Sequence, residues 1–330
     1  MTSGTLTQKF KPAWWLPDGH SQTLWRKITP PASIDLTRQR VELSDGDFID
    51  LDWAGYIGQG SLTNKAIVII LHGLCGCSSS PYVTALQSLL RAHNIPTVAM
   101  NFRGCSGEMN RLARTYHSGV SEDVNEVFSK MIELYPQQDF NFVGYSLGAN
   151  VLLKWSGEIG SHSRVKKAVA VSTPFSLAYC SQAMLRGVTQ LYGRYFVRRL
   201  LRDIRQKKQH FEANGESEQL QRLNELGNLD RITTIWEFDD QVTAPLHGFK
   251  NADDYYRQCS SIDFIPAIRT ETLLIQSQND PMIPAAAVPE KELLAANIEL
   301  QLSAKGGHVG FISGSSDNWL EHRILGFFEG

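Results

Sequence analysis

Gly144-Tyr-Ser-Leu-Gly148 is the single G-x-S-x-G pentapeptide in the chain. A serine hydroxyl is a poor nucleophile until a base takes its proton and donors hold the oxyanion that forms on its target. A tight strand-to-helix turn meets part of that need. It exposes the hydroxyl in a strained backbone and sets a helix N-terminus beside the reacting centre, while the two glycines let strand and helix approach closely. The pattern is weak alone and gains meaning from its context. Phe140-Asn-Phe-Val143 reads as a strand before it, and Ala149 to Gly157 as a helix after it.

A base and an orienting acid should follow in the order serine, acid, histidine. Asn279-Asp280-Pro281 ends a strand read over Thr272 to Gln276, and Gly306-Gly307-His308 follows one over Ile298 to Leu302. Asp280 would fix the tautomer of His308, which would take the Ser146 proton and return it to the leaving group. Asp239, Asp240 and Asp263 compete less well for the acid, because none stands at the end of a strand. Leu71-His-Gly-Leu-Cys-Gly76 follows the first buried strand, so the oxyanion donors are assigned to the backbone N–H groups of Leu74 and Leu147. His72, Tyr145, Arg103 and Glu108 are candidates for lining the pocket or supporting its loops, an Arg103–Glu108 brace being preferred to a pocket role for that pair. Cys75-Gly-Cys77 lacks a second Cys/His pair at ligand spacing, so no metal is expected.

The elements that must position these residues alternate. Val41 to Trp53 reads as a hairpin about Asp45-Gly46, Ala66 to Leu71 and Pro96 to Phe102 as buried strands, and Pro81 to His93 and Ser118 to Tyr135 as amphipathic helices. After Val169 to Val171 the rhythm breaks. Helical patterns run to about Ile262, the two last strands follow with a short helix within Ala285 to Ala296, and Trp319 to Phe328 closes the chain. Such alternation predicts an α/β class protein, a mostly parallel sheet with helices on both faces and a helical cap over its C-terminal edge. Residues 1–40 are expected to form an arm packed on the core, prolines excluding a long helix there; 41–175 and 263–330 form the catalytic core, and 176–262 the cap.

Composition narrows the partners. The chain has 330 residues, 42% of them hydrophobic, with 32 Lys+Arg against 34 Asp+Glu. That near balance gives no reason to expect nucleic acid. The longest aliphatic run, Ala66 to Leu71, is too short for an integral membrane segment, and Met1 to Pro12 lacks a secretory apolar core. With five cysteines suited to a reducing compartment, the expected location is cytoplasmic. A basic amphipathic stretch from Arg186 to Lys208 admits a weak contact of the cap with a lipid surface, although a solvated helix face is preferred.

Together these residues resemble the α/β-hydrolase superfamily, and within it the YheT-like esterases, relatives of the eukaryotic ABHD lipases and yeast ethanol acyltransferases. The likeness rests on Trp14-Trp-Leu-Pro-Asp-Gly-His-Ser-Gln-Thr-Leu-Trp25, His72-Gly-Leu-Cys-Gly76, Asn101-Phe-Arg-Gly-Cys-Ser-Gly107, the Ser146 turn, Phe238-Asp-Asp-Gln-Val-Thr-Ala-Pro245, Asn279-Asp-Pro281 and Gly307-His308. It implies an eight-stranded α/β-hydrolase sheet with a helical cap, a Ser146–Asp280–His308 triad, short- to medium-chain acyl esters as small-molecule substrates, and no cofactor. The expected activity is that of a serine carboxylesterase. Alcohol acyl transfer or acylglycerol and phospholipid lipase activity on the same triad is the alternative, and a non-catalytic binding protein is the third reading.

Overall fold

The computed structural model describes residues 9–55, 64–314 and 318–330; the first eight residues of the expected arm lie outside it. Strands β1 (Leu36–Glu42), β2 (Phe48–Ala54), β3 (Ile67–Leu71), β4 (Thr97–Asn101), β5 (Phe140–Tyr145), β6 (Val165–Val171), β7 (Glu271–Ser277) and β8 (Ile298–Ser303) form one sheet in the order β1-β2-β4-β3-β5-β6-β7-β8. The β1–β2 and β2–β4 pairings are antiparallel, the rest parallel. Every residue of β3, β4 and β5 is buried, as expected for strands covered on both faces.

Helices α1 (Gly19–Ile28), α2 (Pro81–Ala92), α3 (Ser121–Leu134) and α4 (Leu147–Ile159) precede or separate these strands. Between β6 and β7 come α5 (Leu177–Ala183), α6 (Gln190–Ala213), α7 (Ser217–Asn224), α8 (Ile235–Phe238), α9 (Ala244–His247) and α10 (Ala252–Cys259), with no strand among the described residues. Helix α11 (Trp319–Glu329) ends the chain. Side-chain alternation divides the core. Ile67, Ile69 and Leu71 meet Val127, Phe128 and Trp155 of α3 and α4, while Val68 and Ile70 meet Leu86 and Leu90 of α2 and Ile324 of α11. The connections after β3, β5, β7 and β8 therefore gather at one sheet edge, where open α/β sheets bind ligands.

Three expectations are corrected. The proline-rich start holds a ten-residue helix, α1, because Pro17 and Pro30 flank it rather than interrupt it. Asp18 caps it, accepting from the Ser21 N–H at 2.9 Å, while the Ser21 side chain reaches back to Asp18. The short helix expected within residues 285–296 is instead two single 3₁₀ turns, Ala285–Ala287 and Lys291–Leu293. The sheet also reaches further back than the hairpin pattern suggests, since β1 starts at Leu36. Helix α6 buries Val197, Leu201 and Ile204 in a core of its own with Phe238 and Val242, and turns Arg194, Arg198, Arg202 and Arg205 outward. Lys207 breaks that pattern: it is buried, and its Nζ donates to Asn110 Oδ1 at 2.6 Å and the Arg114 carbonyl at 2.8 Å, tying the α6 side to the core loop before α3.

Candidate active site

Ser146 stands between β5 and α4 with φ 51° and ψ −118°, a strained conformation for a residue with a side chain. Its two glycines are required by contact. A Cβ on Gly144 would lie 2.6 Å from the Ala149 Cα, and one on Gly148 2.5 Å from the carbonyl oxygens of Leu71 and His72. The Ser146 N–H donates to the Val171 carbonyl at 2.9 Å, which pins the turn to β6.

His308 and Asp280 reach the same point from the ends of β8 and β7. His308 Nε2 is 2.8 Å from Ser146 Oγ, and Nδ1 is 2.8 Å from Asp280 Oδ2. Asp280 is buried and accepts further from the N–H groups of Met282 (2.8 Å) and Ile283 (3.1 Å). That surround holds the carboxylate still and turned toward the imidazole. The histidine loop is clamped as well. The His308 N–H donates to Thr23 Oγ1 at 2.8 Å, the Gly307 N–H to Asn279 Oδ1 at 3.1 Å, and Ser277 Oγ to the Gly307 carbonyl at 2.9 Å. Thr23 belongs to α1, so the N-terminal segment helps position the histidine.

Among the described residues neither the Leu74 nor the Leu147 N–H has a protein acceptor, and both residues line the cavity system at Ser146. On either side of Leu74 the N–H groups are occupied. Gly73 donates to the Tyr82 hydroxyl and Cys75 to the Tyr116 hydroxyl, each at 2.9 Å. Two phenols thus hold the loop by its flanks and leave the middle N–H unpaired, beside the helix N-terminus that carries the Leu147 N–H. Such an arrangement can receive a developing oxyanion.

Two chambers meet at Ser146 and His308. The larger, about 350 Å³, is lined by Leu74, Tyr82, Tyr195, Arg199, Lys27 and Met282 among others. A smaller one, about 80 Å³, runs under Leu177, Met184, Phe196 and Ile235 and ends at Ser181, Asp239 and Tyr256. Asp239 accepts from the Tyr256 hydroxyl at 2.7 Å and the Thr243 hydroxyl at 2.8 Å, and burial pushes its carboxyl up to about 6. It sits on a π turn, Asp239–Thr243, between α8 and α9.

The four candidates for pocket or loop support are not in the chamber walls. His72 braces the loop: its Nδ1–H donates to the Gly73 carbonyl at 2.8 Å and its Nε2 accepts from the Phe102 N–H at 3.2 Å, with burial holding the ring down to about 4. Tyr145 packs into the core against the Tyr82 ring, its hydroxyl without a protein partner among the described residues. The expected Arg103–Glu108 brace does not form. Arg103 is buried and bonds Asp123, Asp45 and Asp47, whereas Glu108 is exposed and pairs with Arg40. The hairpin loop between β1 and β2 folds over Arg103, bringing closer carboxylates than its neighbour in sequence. Residues to which the sequence assigned no role are Thr23, Lys27, Tyr82 and Tyr116, while Arg199 entered only as part of the basic stretch; for Thr23 the signal was its place in the Trp14–Trp25 segment.

A model of the alpha/beta hydrolase fold matches residues 66–315. The "Putative esterase YheT" of Escherichia coli (strain K12) is 38% identical over 289 residues, 87% of this chain and 82% of that one. Mouse phospholipase ABHD3 is 28% identical, covering 94% of this chain and 74% of its own. A Saccharomyces cerevisiae monoacylglycerol lipase is 29% identical over 80% of this chain and 59% of its own. Among solved structures, the esterase Pf2001 of Pyrococcus furiosus superposes with a TM-score of 0.56 at 15% identity, over 92% of this chain and 97% of that one, a likeness of fold.

Proposed function

Since the chain belongs to the alpha/beta hydrolase fold family, and within it to the group that contains YheT, we propose that it is a serine carboxylesterase acting on short- to medium-chain acyl esters through an acyl-enzyme. The observation that carries the proposal is the unbroken hydrogen-bond chain from Asp280 through His308 to Ser146. In this mechanism Ser146 Oγ attacks the ester carbonyl as its proton passes to His308 Nε2. Asp280 holds the other ring nitrogen and stabilises the imidazolium. The N–H groups of Leu74 and Leu147 receive the oxyanion. The alcohol leaves with the proton from His308, and water then enters by the same base to release the acid.

Acyl length follows from space. The apolar chamber of about 80 Å³ supports the short end of the short- to medium-chain range rather than long fatty chains. All five cysteines are free, which supports a reducing, cytoplasmic setting, and among the described residues no helix is long and apolar enough to cross a membrane. The names of the mouse and yeast relatives, a phospholipase and a monoacylglycerol lipase, favour glycerol-type alcohols as the second half of the ester.

The test is hydrolysis of p-nitrophenyl esters of graded chain length by the wild type and Ser146→Ala. Turnover that peaks at short chains and disappears in Ser146→Ala is expected; equal turnover in both proteins would overturn the proposal. Partition of the acyl-enzyme between water and added ethanol measures how far acyl transfer competes.

A further inference from the structure

The larger chamber has an unusual wall. Lys27, near the end of α1, and Arg199, in α6, both face it, and among the described residues neither forms an ion pair with a carboxylate. Arg26 in the same wall is different, being buried against Glu321. Asp203, one turn beyond Arg199, is engaged by Arg202 at 2.9 Å. Lys27 and Arg199 converge instead on one phenol, that of Tyr195. The Lys27 Nζ lies 3.6 Å from the centre of the Tyr195 ring, and Arg199 Nη1 donates to its hydroxyl at 2.8 Å. Arg199 Nε is buried and has no acceptor among the described residues. A buried guanidinium N–H left without a partner is costly, so this guanidinium is not fully satisfied by the protein alone.

The two charges also act on the loop that carries Leu74. Burial pushes the Cys75 thiol up to about 11; Arg199 pulls it the other way, Asp203 adds to the rise, and Lys27 pulls it down again, so charges on this wall act on the residue beside Leu74. The other chamber contrasts with this one, because Leu177, Met184, Phe196, Ile235 and Ile283 give it an apolar lining suited to an acyl chain. The cations therefore stand on the side left for the alcohol.

We propose that Lys27 and Arg199 form an anion subsite, and that the ester turned over at Ser146 carries a phosphate or carboxylate on its alcohol half. Arg199 offers the cavity-facing N–H groups of its planar fork to the oxyanions, and Lys27 supplies a point charge at the mouth. Tyr195 draws both to one wall through its ring and its hydroxyl. The inference rests on the esterase proposal above, and specifies which esters the site selects.

Three soluble esters test it: 1-butyrylglycerol, 1-butyrylglycerol 3-phosphate and the 3-butyryl ester of glyceric acid. Two partly screened charge-assisted contacts should raise kcat/KM for one or both anionic esters about tenfold over the neutral one at low salt. The two anionic arms tell phosphate from carboxylate. The advantage should shrink as sodium chloride rises, and the anionic-to-neutral ratio should fall to about one in Lys27→Met/Arg199→Met, with Arg199→Lys intermediate. Calorimetry gives a readout independent of turnover, in which glycerol 3-phosphate binds the wild type, and glycerol and the double variant show no such binding. Equal kcat/KM for all three esters, a preference that survives in the double variant, or one insensitive to salt would each overturn the subsite. Should the double variant misfold, the salt titration of the wild type decides. Failure of all three esters, with glycerol 3-phosphate still binding, would instead refute the esterase proposal and leave the subsite standing.

Discussion

Replacing Tyr82 or Tyr116 by phenylalanine tests whether the oxyanion loop is set by its flanks. Each hydroxyl accepts one N–H, from Gly73 or Cys75, at 2.9 Å, and the Leu74 N–H lies between them. Removing one hydroxyl orphans a buried N–H in the present loop conformation, a cost of about 1–3 kcal/mol. A relaxed loop that turns that N–H to water escapes the cost but moves Leu74 off its aim. The ceiling on the damage is complete loss of one oxyanion donor, about 10²–10³ in turnover. With every 1.36 kcal/mol worth tenfold in rate, a partial shift toward the relaxed loop should lower kcat about 5- to 100-fold. KM should stay within about twofold, because the ground-state ester gains little from the donor. The double variant should approach the ceiling without reaching the product of the singles, since both phenols act on one loop. The assay is p-nitrophenyl butyrate hydrolysis together with the rate of fluorophosphonate labelling, beside thermal denaturation. Single variants that lose stability yet keep kcat within twofold would refute the reasoning, showing the phenols to be packing partners only.

Three further outcomes follow from the geometry. Asp280→Asn keeps the shape of the acid but can present an amide N–H to His308 Nδ1, favouring the wrong tautomer; kcat should fall about 10³–10⁴-fold, and a loss under tenfold in a kinetic assay would show that His308 does not depend on this partner. Gly148→Ala places a methyl 2.5 Å from two backbone oxygens that cannot swing aside; the overpacking cost of about 1–3 kcal/mol or more should lower the melting temperature by several degrees, and an unchanged value would mean the strand and helix are not in tight contact. Asp239 has a folded pKa of about 6 against an ordinary 3.8, so the folded protein binds the extra proton between those values and loses that stabilisation as pH rises through 6. Asp239→Asn, which can still accept from Tyr256, should therefore be more stable than the wild type by about 1–3 kcal/mol at pH 8, with the gain vanishing near pH 4; denaturation midpoints across pH check the sign.

How much of this was legible in the sequence depends on the distance over which each signal acts. The buried strands and the Ser146 turn announce themselves within a few residues, through apolar runs, paired glycines and a following amphipathic helix. Asp280 and His308 stand out for the same reason, each just beyond a strand. Helix α1 was hidden because prolines on both flanks looked like interruptions, while the Asp18–Ser21 cap that starts it spans only three residues. Arg103 shows the opposite failure, since a carboxylate five places away looked like its partner, but the hairpin loop brought Asp45 and Asp47 from over fifty residues upstream.

The contacts that position the reactive groups are longer still. Thr23 meets His308 across 285 residues, and Tyr116 meets Cys75 across 41. No periodicity encodes such a pair, because each side chain sits on a different element and only the sheet order brings the elements together. The same holds for Lys27 and Arg199, which share one tyrosine from α1 and α6. Reaction type and substrate choice are therefore written at different scales. The proposed nucleophile, base and acid are local features of strand ends, tied to the sheet itself. The wall that would choose the alcohol is assembled from the N-terminal helix and the long helix between β6 and β7, segments outside the parallel core. Changes at Lys27, Tyr195 or Arg199 can redirect specificity without disturbing the Asp280–His308–Ser146 chain, because the hydrogen bonds that hold that chain run through Thr23, Ser277, Asn279 and the backbone of Met282 and Ile283, not through those three residues.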